Sequence, residues 1–147
     1  MEKAWKPVPI KGFVLPKETD EQIALMEWAS WHVKKYPELL WLIHVPLGEY
    51  RHKKTAGVLK AMGVKKGFPD IMLPTSRHGY HALAIELKRQ KGAKPQVSAE
   101  QKAWIEHLKS QGWYAVVCYG AEEAINTLKW YLEGESDERR KQNHDGL

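Results

Sequence analysis

The chain has 147 residues, 43% hydrophobic and 28% charged, with a net charge of +5. That length and mix suit one globular domain with one sizeable core, and they exclude two full catalytic domains. A single cysteine, Cys118, excludes an intrachain disulfide and any cysteine-built zinc cluster.

Residues 1–17, with Pro7, Pro9 and Pro16, read as an extended N-terminal arm that packs through Trp5 and Phe13. They contain no apolar run of signal-peptide length, and nowhere does the chain show the long apolar run of a membrane span. Residues 18–36 read as a helix ended by Pro37, with Leu25, Trp28, Ala29 and His32 on one stripe. Carried back toward the N-terminus, that stripe meets Gln22 or Glu21, and then Glu18. The apolar run 39–45 has the length of a strand, and 46–54 reads as a loop around Pro46 and Gly48. A short helix is expected over 55–62, closed by Gly63.

Residues 70–73 start a strand, 74–79 turn, and 81–88 form the next strand. Leu83, Ile85 and Leu87 face one way in it; Ala82, Ala84, Glu86 and Lys88 face the other. After a polar loop over 91–97, residues 98–110 read as a helix with Ser98 and Gln101 in capping-box spacing, and Gly112 ends it. The spacing predicts a last strand over 113–119, a last helix over 121–132, and a charged tail over 133–147. Helices and strands in this order predict an α/β domain over 18–132, a mixed sheet flanked by α-helices.

Charge is unevenly placed. Residues 51–94 carry eleven Lys or Arg and only two acids, a net charge of +9, so the rest of the chain sums to −4. A basic middle in a mildly acidic chain has the character of a phosphate-facing surface. Its two acids, Asp70 and Glu86, sit where they would repel a polyanion unless neutralised. Asp70 begins one strand, while Glu86 and Lys88 share a face of the next, so a hairpin would bring the carboxylates together. Paired carboxylates raise each other's pKa, and a hard dication with oxygen ligands removes that repulsion. The Leu87 backbone carbonyl at the strand edge would be a further oxygen ligand, and Lys88 would stabilise charge developing on a phosphate. Read without chemistry, the same residues are a strand-opening Asp and an exposed Glu–Lys pair.

Other residues read as structural. His44 is expected to be a hydrogen-bonded buried histidine at its strand end, His32 lies at the core edge, and Cys118 is an inert core thiol. Trp28, Trp41, Trp104 and Trp113 fall at core-like phases, while Trp130 and Tyr131 would suit a dimer interface. The histidines lack the spacing of a zinc hydrolase, and no P-loop, dinucleotide fingerprint or serine elbow is present, so no nucleotide cofactor is expected.

Gly67-Phe68-Pro69-Asp70, then Ile85-Glu86-Leu87-Lys88, then Ser98-Ala99-Glu100-Gln101-Lys102-Ala103-Trp104, resemble the virus-type replication-repair nuclease (VRR-NUC) family of the PD-(D/E)xK nuclease superfamily. The resemblance implies a restriction-endonuclease-like core. It implies a Mg²⁺- or Mn²⁺-dependent DNA endonuclease acting on branched DNA such as Holliday junctions, active as a homodimer, in the cytoplasm of a bacterial or phage-infected cell. It casts Asp70 and Glu86 as metal ligands, Lys88 as the catalytic lysine and Gln101 as support. The family's first-helix acid falls on Glu18, which the motif spacing favours, or on Glu21, one turn before Leu25. Phosphate contacts are expected from Arg51, Lys53, Lys54, Lys65, Lys66, Arg89, Lys91 and Lys94. Leu47 departs from the pattern, since relatives often carry Asn there. Two other classes stay open: a catalytically silent DNA-binding module of nuclease fold, and an interaction protein using its aromatic helices.

Overall fold

The computed structural model describes residues 14–46 and 53–134, and the side chains of residues 53–55 lie outside that description. Its elements are α1 (Glu18–Trp31), a 3₁₀ turn (Pro37–Trp41), β1 (Ile43–His44), α2 (Lys53–Ala61), β2 (Ile71–Leu73), β3 (Leu83–Lys88), α3 (Ala99–Ser110), β4 (Tyr114–Tyr119) and α4 (Ala121–Leu132). The strands form one mixed sheet in the order β1-β2-β3-β4. β1, β2 and β3 pair antiparallel, and β4 joins β3 in parallel. A parallel neighbour needs a crossover, and α3 supplies it.

All six residues of β3 are buried because helices cover both faces of the strand. Leu83, Ile85 and Leu87 pack with Leu25 and Ala29 of α1 and with Ala124, Leu128 and Tyr131 of α4. On the opposite face Ala84 and Ala115 meet Ile105 and Leu108 of α3, with Phe68, Trp104 and Trp113 at the margin. The expected alternation of β3 is therefore the actual division of the core. Small Ala84 and Ala115 let α3 approach closely.

The capping box of α3 is formed as expected: Gln101 N donates to Ser98 Oγ at 3.1 Å, and Ser98 N donates to Gln101 Oε1 at 2.9 Å. The turn before Asp70 is pressed against this helix start. Gly67 has φ +88°, and a Cβ there would stand 2.6 Å from the Glu100 carbonyl carbon. Only glycine fits both the left-handed backbone and the approach.

Four expectations need correction. The first helix ends at Trp31, not at residue 36. The apolar run 39–45 is mostly not a strand, because Pro37 opens a 3₁₀ turn through Trp41 and only Ile43 and His44 pair with β2. Leu39 and Leu42, three residues apart, are buried while Leu40 and Trp41 face solvent, which is the period of a 3₁₀ helix rather than of a strand. Trp41 accordingly leaves the core, at 66% exposure. Tyr131 is buried core rather than an interface residue, and its hydroxyl donates to the Thr75 carbonyl at 2.5 Å. Cys118 is buried as expected, and burial pushes its thiol up to about 11. Trp5, Phe13, Leu47 and the tail beyond Gly134 lie outside the described residues.

Candidate active site

The β2–β3 pairing ends at Ile71 and Ile85, so Asp70 and residues 86–88 continue past the last rung. Asp70 replaces the missing strand contact with its side chain: Leu87 N donates to Asp70 Oδ2 at 2.8 Å. The Asp70 carbonyl accepts from Val45 N at 2.7 Å and faces His44 Nδ1 at 2.9 Å. Asp70 is thus held at both its backbone and its carboxylate. A strand residue sends its N–H and C=O to the same edge, so the Leu87 carbonyl leaves β3 on the side of Asp70. His44 is exposed rather than buried, and its ring braces this backbone.

Glu86 sits on the α3 face of β3. Gln101 Nε2 donates to Glu86 Oε1 at 2.8 Å, and Lys88 Nζ lies 3.5 Å from the same oxygen. The capping box decides which end of the Gln101 amide faces the acid: Oε1 is taken by Ser98 N, which turns the NH₂ group toward Glu86. Glu86 and Lys88 are 1% and 7% exposed. Glu86 Oε2 is buried and has no hydrogen-bond partner. Burial first, and then the neighbouring Asp70 carboxylate, push the Glu86 carboxyl up to about 8 against the opposing pull of Lys88.

That shift has a sign in stability. An ordinary glutamate carboxyl titrates near 4.5, well below about 8, so between those values the folded chain holds a proton that the unfolded chain has released. The stability it confers is complete below the unfolded pKa and is lost as pH rises through the folded one. A melting temperature taken in EDTA is therefore expected to fall from about pH 5 to about pH 8.5. Glu86→Gln should flatten that slope, and an unaltered slope would trace it to another group.

The two candidate first-helix acids occupy different environments. Glu18 is exposed beside the pair; partial loss of water and then Asp70 hold its carboxyl above the ordinary range, with Lys88 acting in the opposite sense. Glu21 is buried, and accepts from Ala121 N at 2.6 Å and Gln90 Nε2 at 3.0 Å. It therefore caps the N-terminus of α4, where a negative charge is favoured, whereas Glu18 is the acid on which Asp70 and Lys88 act. Gln22 lies one turn beyond Glu18 on α1. Its Nε2 is buried without a hydrogen-bond partner, and its place on the stripe that leads back to Glu18 is the sequence signal for it.

Among the expected phosphate contacts, Lys65, Lys66, Lys91 and Lys94 are exposed, with Lys91 Nζ 5.3 Å from the Tyr119 ring centre. Arg89 has a second set of partners: its Nε and Nη2 donate to the carbonyls of Pro16 and Leu15 at 2.9 and 2.8 Å. Arg89 is half-buried, and its guanidinium ties down the segment before α1. Arg51 and the side chains of Lys53 and Lys54 lie outside the described residues.

A dication is tested by the donors present. Among the described residues no three His, Cys, Asp or Glu side chains gather into a metal cage. Mg²⁺ does not require one, since it binds through one or two carboxylates and keeps water and phosphate oxygens as its other ligands. Two adjacent carboxylates, a carbonyl on the same edge and the unpartnered Glu86 Oε2 fit that pattern. All are hard oxygen donors.

A mixed sheet with helices on both faces, carrying Asp70 and Glu86-Leu87-Lys88 where two adjacent strands part, defines an α/β nuclease fold. The VRR-NUC domain model matches residues 17–122, and the chain belongs to that nuclease family. It is also similar to a solved structure, a VRR_NUC domain protein, with TM-score 0.72 and 28% identity over 84% of this chain and 94% of the other. No curated protein matches it. No helix among the described residues is long and apolar enough to cross a membrane.

Proposed function

We propose that the chain is a metal-dependent endodeoxyribonuclease that hydrolyses phosphodiester bonds, selective for branched DNA such as Holliday junctions. The observation that carries this reading is the Asp70–Glu86 carboxylate pair, with Glu86 Oε2 buried and unpartnered and Lys88 Nζ 3.5 Å from Oε1. Such an arrangement is costly for a fold to keep without a ligand.

Asp70, Glu86 and the Leu87 carbonyl would hold Mg²⁺ or Mn²⁺. Once bound, the ion would supply Lewis-acid polarisation of a phosphoryl oxygen and a more acidic attacking water. Lys88 would orient an attacking water and offset the charge that grows on the phosphate; the water oxygen bonds to phosphorus as the P–O ester bond breaks, and a proton from that water ends on the departing oxygen. Gln101 holds Glu86 in place, and Glu18 adds a carboxylate at the mouth. Lys65, Lys66, Lys91 and Lys94 meet backbone phosphates, so cleavage depends weakly on sequence and strongly on salt.

A two-fold homodimer would present two such sites to two strands of a junction. The exposed Trp31, Leu40, Trp41 and Ile43, on α1, the 3₁₀ turn and edge strand β1, are apolar surface suited to that contact. The cellular setting that goes with this reading is the cytoplasm of a bacterial or phage-infected cell.

The test is incubation with labelled four-way junction and linear duplex, with Mg²⁺ or Mn²⁺ and with EDTA. The parent is expected to cut the junction faster and only with metal, and Lys88→Ala to lose about a hundredfold or more in rate. Parental rates in Lys88→Ala would end the assignment. Junction binding without cleavage on adding metal would make the chain a catalytically silent DNA-binding module.

A further inference from the structure

A groove of about 960 Å³ opens between α2 and α3. Lys60 of α2 and Lys65 and Lys66 of the following connection line it, against one acid, Glu100. Among the described residues, none of the three lysines is in an ion pair. Its lining is otherwise mainly apolar, with Val64, Ala103 and the half-buried Trp104. Trp104 is fixed before anything binds: its Nε1 donates to the Lys66 carbonyl at 2.9 Å, and Phe68 packs edge-on at 5.1 Å between ring centres.

Small residues keep the groove open. Gly57 lies inside α2, where glycine is destabilising relative to alanine, and a Cβ there would meet nothing within 4 Å. Two of the segments that line the groove continue along the chain to residues of the site. Lys65 and Lys66 run directly into Gly67-Phe68-Pro69-Asp70, and Glu100 precedes Gln101, the residue bonded to Glu86.

We infer that this groove holds an unpaired strand of DNA and leads it toward the Asp70–Glu86 pair, an inference that rests on DNA being the substrate. Charge complementarity selects a polyanion. The apolar, aromatic lining selects one whose base faces are free, because a duplex hides them in its stack. The volume lies at the top of the range of small-ligand clefts, about 300–1,000 Å³, so the groove has room for more than one base. A rigid ring beside lysines is the usual construction of a single-strand site.

The experiment measures anisotropy in EDTA with two labelled probes, a blunt duplex and the same duplex bearing a single-stranded tail. The parent is expected to bind the tailed probe at least about tenfold more tightly, the effect of stacking one or two bases. Ala103→Leu and Gly57→Leu, both helix-compatible and checked by circular dichroism, should bring that ratio toward one. Lys60→Glu should weaken the tailed complex and flatten its salt dependence. A parental ratio near one, or retention of the parental ratio in both folded groove-filling variants, would overturn the inference. The two readings fail separately. A parent that prefers the tailed probe but cuts no DNA with Mg²⁺ or Mn²⁺ refutes the nuclease alone, and one that cuts without any tail preference refutes the groove alone.

Discussion

Asp70→Asn is expected to lower metal-dependent cleavage by about a thousandfold or more, roughly 4 kcal/mol in the barrier, while the metal-free fold stays at least as stable as the parent. Asparagine keeps an oxygen for Leu87 N, which donates to Asp70 Oδ2 at 2.8 Å, so the edge of β3 keeps its support. What disappears is the negative charge beside Glu86. Since that charge helps raise the Glu86 pKa, its loss relieves repulsion in the metal-free protein. Activity and melting temperature should move in opposite directions. Asp70→Ala is the poorer variant, because it strands a partly buried N–H at a cost of about 1–3 kcal/mol. Steady-state cleavage of a labelled junction in Mn²⁺, with thermal unfolding in EDTA, reads both quantities. A variant that cuts at the parental rate would remove Asp70 from the chemistry, and one that loses activity only by unfolding would make its role structural.

The second large effect separates two acids one helical turn apart. Glu21→Ala should destabilise the fold by about 2–4 kcal/mol, because Ala121 N and Gln90 Nε2 lose their acceptor in a buried place. In a domain of this size that is a fall on the order of 10 °C in melting temperature. Glu18→Ala removes an exposed side chain, so stability should change by no more than about 0.5 kcal/mol. Its rate of cleavage should drop by about tenfold to a hundredfold, the usual range for a group acting on a reacting site. Unfolding curves and initial rates on the two variants decide the matter. Parental stability with lost activity in Glu21→Ala would reverse the assignment of the pair.

Features governed by local rules were legible in the chain. The alternation of 83–88 placed Leu83, Ile85 and Leu87 on one face and Glu86 and Lys88 on the other, because successive strand side chains must point to opposite sides. Ser98 and Gln101 announced a helix start because their side chains satisfy backbone donors only three residues away. The order of Asp70, Glu86 and Lys88 along two successive strands was enough to suggest that the acids meet.

Tertiary contacts decided the rest. Glu18 and Glu21 are both plausible on one helix, and only the arrival of α4, a hundred residues further along, turns Glu21 into a cap. Arg89 lies in a basic stretch and reads as a phosphate contact, and only the fold brings the carbonyls of Leu15 and Pro16 to two of its nitrogens. A short apolar run such as 39–45 has no period long enough to separate strand from 3₁₀ turn, and neighbouring packing settles it. The groove between α2 and α3 has no sequence signature, since cavities belong to the space between elements. Local chemistry is written within a few residues, whereas partners distant in the chain become neighbours only when the sheet and its helices close.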